Sequence, residues 1–281
     1  MRCALALLPA ILLTGCISID FGSSDRYRAD FHYAYDLQPG GHINLENMNG
    51  PVEISGWDQN KIEITGVRNA STQEGLDALK IDIHNTPSSI DIRTVRPSGF
   101  HNGGASYALR VPRAAVLDHI ATTNGSLRVH DLDNGGYLKS TNGSLRIEDV
   151  RGAVDAQTSN SSIEVHSIGG DAKMKTSNGR IHAEDIGGEV EAKTSNGSVS
   201  IELDHAPKSR IRVETSNGGI TVRLPASTGA KLEADTTNGS VTTDFNVSES
   251  GRASHLDATI NGGGPLIELT TRNGSISILR R

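Results

Sequence analysis

Cysteine is nearly missing from this 281-residue chain: only Cys3 and Cys16 occur. Both stand at the extreme N-terminus, so no disulfide framework organises the rest. Aromatic residues are 4% of the sequence, which leaves few rings for stacking on a sugar. Basic runs are lacking too. The 27 Lys and Arg are spread among 33 Asp and Glu, for a formal net charge of -6, and nothing in that spread tracks a phosphate backbone, which excludes a nucleic-acid partner. Beyond the first sixteen residues no apolar run approaches the ~20 residues of a membrane-spanning helix. Proline is scarce at 9 while glycine reaches 31. The glycines recur at regular places, as turns do, and the composition fits one domain of moderate size.

The opening "MRCALALLPAILLTGC" sets Arg2 before an apolar run, Ala4 to Leu13, followed by Thr14, Gly15 and Cys16. That order reads as a signal peptide over residues 1–15. The ending Leu13-Thr14-Gly15-Cys16 resembles the lipobox of bacterial lipoproteins, in which small residues admit the peptidase and the cysteine takes the lipid. The rival is an ordinary secretory signal with a chance cysteine. The resemblance implies lipidation at Cys16, a membrane as partner, and a mature chain with no second cysteine. With Ile17 rather than aspartate next, it also implies passage to the outer membrane if the source has two membranes. Residues 16–30, short, polar and aperiodic, read as a tether.

Asparagine supplies the dominant regularity. Asn124, Asn142, Asn160, Asn178 and Asn196 are each eighteen residues apart, nearly always followed by glycine. Fixed-period self-similarity marks a repeat architecture. Apolar or small residues fall six, four and two before each asparagine, as at Val154, Ala156 and Thr158, and three and five after it, as at Ile163 and Val165. Alternation of period two on both sides of a corner gives two short strands per repeat. So short a unit cannot bury its own apolar face, so successive units must stack. The expected fold is an all-β solenoid, similar to a parallel β-helix, of roughly 18-residue two-strand coils. Its asparagines would form an inward corner column, bonded to the next coil and tolerant of left-handed torsions, with glycine where no Cβ fits. A stack of antiparallel Asn-Gly hairpins is the competing arrangement.

The same template fits Asn217, Asn238 and Asn273, with longer turns and the insertion "VSESGRASHLDATINGGG", and it fits Asn49 near the start. Residues 31–281 are therefore expected to be one domain: irregular coils over 31–115, regular repeats over 116–245, and a last coil with its insertion over 246–281. Trp57 is expected to cover the open N-terminal end. Ser71 and Glu74 form a capping-box pattern, predicting one short helix near residues 71–80.

The segments "GGHINLENMNGPVEISGW", the central Thr-Ser-Asn-Gly repeats and "INGGGPLIELTTRNGSISI" resemble a bacterial family of unknown function whose members are called candidate adhesins. The resemblance covers most of the mature chain. It implies an envelope-associated β-solenoid, sometimes lipid-anchored, and transfers no catalytic residue.

Chemistry then has to come from the outward columns. His130, Glu148, His166, Glu184 and Glu202 form one column, and Asp131, Asp149 and Asp185 form another, interrupted by Ser167. His beside Glu at ~4.8 Å makes a solubilising ladder. A shared metal would need closer ligands, since His130 and His166 lie ~9.6 Å apart, and neither metal nor other cofactor is expected. The aspartates suit a bend. The alternative is an acid pair or calcium site of a glycan-active β-helix enzyme, lyase or hydrolase. The favoured reading is a non-catalytic, lipid-anchored envelope protein that presents a repetitive surface as adhesin or scaffold. An envelope glycan or a protein is the expected partner; the sequence leaves the oligomeric state open.

Overall fold

The computed structural model describes residues 27–96, 98, 103–247 and 253–281. Cys16, the signal peptide and residues 16–26 of the expected tether lie outside the described residues. Strands dominate, as the alternation requires, and they form two sheets of 12 strands each. Every central coil gives one strand to each sheet, for example Val154–Gln157 to one and Ile163–Ile168 to the other. Pairing between coils is parallel and in strict register: Leu145 faces Ile163, Ile163 faces Ile181, and Ile181 faces Val199. The parallel ladder excludes the hairpin stack.

The core is the slab between the sheets. Val154, Ala156, Ile163, Val165 and Ile168 each have at most 4% exposure, and the same positions repeat in the neighbouring coils. Burial of one such aliphatic side chain stabilises by ~1.5–3 kcal/mol. A single coil contributes too few of them to fold alone, so stability accumulates by stacking.

The ends depart from the expected order. Strands His42–Asn49 and Val52–Trp57 stack directly on Val116–Asn124 and Leu127–Leu132. The chain between them folds outward, laying Ser89–Val95 and Gly103–Pro112 on the far side of that first coil. Antiparallel strands Tyr27–Asp36, Lys61–Ala70 and Lys80–Thr86 then close this end. At the other end the C-terminal strands Leu266–Asn273 and Ile276–Arg280 insert between the coil of Ile211–Leu224 and that of Ala230–Thr243. The last coil in sequence is thus not last in space, and the insertion supplies an antiparallel edge strand, His255–Ile260, on the return path.

Three local expectations need correction. The tether was expected to run to residue 30, but strand Tyr27–Asp36 already begins at Tyr27, because Ala29, Phe31, Tyr33 and Tyr35 alternate inward. The helix spans Gln73–Ala78 and is capped by Thr72, whose side chain accepts from the Gly75 amide, not by Ser71. Trp57 does not cover the core: it stays half-exposed on a sheet face, its Nε1 donating to the Lys61 carbonyl at 2.8 Å, with the Arg110 guanidinium 4.3 Å over its ring.

Candidate functional site

The corner column is a ladder of side-chain amides. Asn142 Nδ2 donates to Asn124 Oδ1 at 2.7 Å, Asn160 to Asn142 at 2.8 Å, Asn178 to Asn160 at 2.9 Å and Asn196 to Asn178 at 2.8 Å. Asn124 continues it to Asn49, and at the far end Asn217 bonds Asn196, Asn273 bonds Asn217 and Asn238 bonds Asn273. The bonding to the next coil is as expected, but the inward orientation is not: all eight asparagines from Asn124 to Asn273 are exposed. None of them has a left-handed backbone either.

The inward place belongs to the hydroxyl residue two positions earlier. Thr158 Oγ1 donates to the Gly143 carbonyl at 2.9 Å, and Ser140, Thr194 and Thr215 repeat the bond one coil apart. Glycine follows asparagine because coils approach closely: a Cβ on Gly143 would lie 1.7 Å from the Gly125 carbonyl oxygen. In the first coil Asn47 occupies the hydroxyl slot. Its Nδ2 takes the Gly50 carbonyl, the acceptor that the column would offer Thr122, and Thr122 Oγ1 is left buried without a partner. Asn47 also accepts from Thr94, which meets Tyr107 Oη at 2.6 Å. Burial pushes the Tyr107 hydroxyl up to about 12. Asn47 in "NMNG" is the visible sequence signal of this network, and alternation alone passes over it.

Left-handed torsions sit at the second corner. Asp131, Asp149, Ser167 and Asp185 have φ of 63°, 54°, 56° and 52°, a conformation that Asp tolerates better than bulky residues do. These residues line a groove of about 450 Å³ together with Arg113, Asp133 and Arg151. The charges there are largely spoken for. Arg113 Nε binds Asp58 at 2.9 Å and Arg151 binds Asp133 at 2.9 Å. His130 Nδ1 lies 2.8 Å from Asp131 Oδ2. The hydrogen bond from His130, with the Arg113 charge behind it, holds the Asp131 carboxyl below its usual range. A general acid needs the opposite shift.

The sheet faces carry ion pairs within strands and between successive coils. Arg146 bridges Glu148 at 2.7 Å and Glu164 at 3.1 Å, His166 meets Glu184 at 3.0 Å, and Lys193 meets Glu214 at 2.7 Å. The Arg146 bond lowers the Glu148 carboxyl, and the Lys193 bond lowers that of Glu214. His130 departs from the expected ladder: Glu148 is its neighbour in register, yet it pairs with Asp131 and, at 3.8 Å, with Glu53. Glu148 lies between His130 and His166. Among the described residues no group of three His, Cys, Asp or Glu side chains is placed to hold a metal ion. Tyr137, the aromatic of the repeat faces, is stacked on His119 with centroids 5.4 Å apart.

This arrangement of stacked coils with Asn-Gly corners matches the family model Toastrack DUF4097 over residues 41–279. The chain belongs to the Toastrack DUF4097 family. No curated protein matches it. Among solved structures, it is similar to a candidate adhesin from Bacteroides fragilis, at 11% identity and TM-score 0.45, over 90% of this chain and 97% of that one. A candidate cell adhesion protein from Clostridium sporogenes gives 14% and 0.32, over 90% and 100%. A candidate lipid binding protein from Parabacteroides distasonis gives 12% and 0.33, over 90% and 96%. Likenesses this loose carry no contact or role onto this Toastrack chain.

Proposed function

We propose that this Toastrack chain is a lipid-anchored envelope protein that presents its repetitive sheet faces to an envelope glycan or protein, as adhesin or scaffold, without turnover. The observation that carries this reading is how the outward charges are used. Among the described residues they pair with neighbours, Arg146 with Glu148 in its own strand and with Glu164 in the next coil, Lys193 with Glu214, Arg223 with Glu202, and most are so engaged rather than left open to a reacting atom. The lipobox-like Leu13-Thr14-Gly15-Cys16 supports anchoring at Cys16 and an envelope location.

The groove at the second corner favours one other reading. Asp131 and Asp149 lie one strand spacing apart, ~4.8 Å, close to the separation of the two carboxylates of a retaining glycosidase. Their left-handed torsions give a structural reason for the residue type, and the lowered Asp131 carboxyl is unsuited to proton donation. Incubation of the purified mature domain with a panel of acidic and neutral glycans, with and without calcium, separates the two. Presentation predicts no depolymerisation by the wild type. Turnover of any glycan that is lost on changing Asp131, Asp149 and Asp185 together to Asn, typically by 10² or more, would establish the enzyme instead.

A further inference from the structure

The two ends of the solenoid are finished differently. At the C-terminal end Phe245, Leu256, Ala258 and Ile260 are each at most 6% exposed, and the half-buried apolar residues there are the aliphatics Val241 and Val247. Among the described residues the sheets stop, at the N-terminal end, at Tyr27–Asp36 and Lys80–Thr86, each paired on one side. Phe31, Tyr33 and Tyr35 on one strand and Ile81 and Ile83 on the other pack against the core but stay half-buried. Tyr27 is 40% exposed. Four of the chain's nine Tyr and Phe therefore stand on one edge strand. Solenoid ends that face water are ordinarily capped by a polar surface; here the helix Gln73–Ala78 packs on Tyr27–Asp36 and Lys61–Ala70 but leaves Phe31, Tyr33 and Tyr35 half-buried.

We propose that this N-terminal end docks on the bilayer interface, so that the solenoid stands on the membrane with its C-terminal end outermost. The inference rests on lipid anchoring at Cys16. Ten residues, 17–26, separate Cys16 from Tyr27, and fully extended they reach at most ~36 Å. The opposite end lies eleven strand spacings away, ~50 Å. An anchored cysteine therefore holds the aromatic end against the membrane at high effective concentration and leaves the other end clear of it. Tyrosine suits the interface, where its ring contacts acyl chains and its hydroxyl stays hydrated. The exposed charges of the two edge strands nearly balance, Arg28 and Lys80 against Asp30, Asp36 and Asp82. Docking then depends on ring and aliphatic contact, and an anionic lipid is not required.

Site-directed spin labelling tests this. In the lipidated mature protein the Cys16 thiol is blocked, so a nitroxide can be placed at Tyr27→Cys, Lys80→Cys or Thr242→Cys alone; all three positions are exposed. On phosphatidylcholine vesicles the ratio of oxygen to nickel-chelate accessibility should rise severalfold at 27 and 80, stay unchanged at 242, and stay unchanged at all three in unlipidated Cys16→Ser protein. Cosedimentation with vesicles but no rise at 27 and 80 overturns docking alone, and this is the result expected if residues 17–26 cover the end. A rise at all three positions also overturns it, since the solenoid would lie flat. Failure of the wild type to cosediment removes the anchor, and docking with it.

Discussion

At the scale of single residues the solenoid distinguishes three neighbours that look alike in "TSNG". The threonine hydroxyl is buried and bonds the preceding coil, the asparagine amide bonds along the surface, and the glycine admits the next coil. Thr158→Val leaves a buried carbonyl without its donor and should cost ~1–3 kcal/mol. Asn160→Leu removes two exposed amide bonds and should cost about 1 kcal/mol, while Glu164→Gln should fall within ~0.5 kcal/mol of wild type. Gly143→Ala has to push coils apart against a 1.7 Å contact and should exceed both, at more than ~3 kcal/mol. Urea melts of the four variants check this ranking; equal midpoints for Asn160→Leu and Thr158→Val would contradict it.

Acid response belongs to this scale as well. Asp131, Glu148 and Glu214 have lowered carboxyls, first through hydrogen bonds from His130, Arg146 and Lys193 respectively. A lowered folded-state value stabilises the fold above the unfolded value, and the contribution disappears as pH falls through the folded one. Stability should therefore decline on acidification from the ordinary carboxylate range downward. Glu214→Gln should lower the neutral-to-basic limb and converge on wild type in acid, flattening the decline. Thermal melts across pH measure it, and a decline as steep in the variant as in wild type would remove the pairing from the explanation.

At the scale of elements, eighteen residues are one coil. Deletion of residues 163–180 removes Ile163–Ile168 and Ala172–Lys175 and brings Leu145 onto Ile181 in unbroken register. That shortened protein should fold with a modestly lower melting temperature, whereas deletion of residues 163–171 leaves half a coil and should yield insoluble protein. Soluble, cooperative folding of both would contradict the coil as the structural unit. The central coils were legible because their pairing is with the nearest repeat, so periodicity alone sets the register. The ends were not. That Leu266–Asn273 inserts between Ile211–Asn217 and Ala230–Asn238 depends on pairing between distant segments, which the shared Asn template cannot order. Likewise, alternation places the hydroxyl residue at Thr158 inward, as found, but does not say where a side chain at the corner itself points, and the asparagines expected inward are exposed. The aspartate bend was readable because its residue type and its place just ahead of the second corner both follow from turn chemistry.

At the scale of the molecule, the solenoid is a slab with paired charges on its faces and two unlike ends. Among the described residues the second-corner groove and a face hollow lined by Glu148, Glu164, His166, His182 and Glu184 both hold titratable groups, and in both most charges pair with a neighbour. The proposed function gives such a slab its role through attachment to the envelope, and that proposal rests on one atom, the Cys16 sulfur. The most direct measurement is expression in a bacterial host grown with labelled palmitate, followed by fractionation of wild type and Cys16→Ser. The account predicts label and membrane association for the wild type and neither for Cys16→Ser. Equal labelling and equal partition of the two proteins would contradict it.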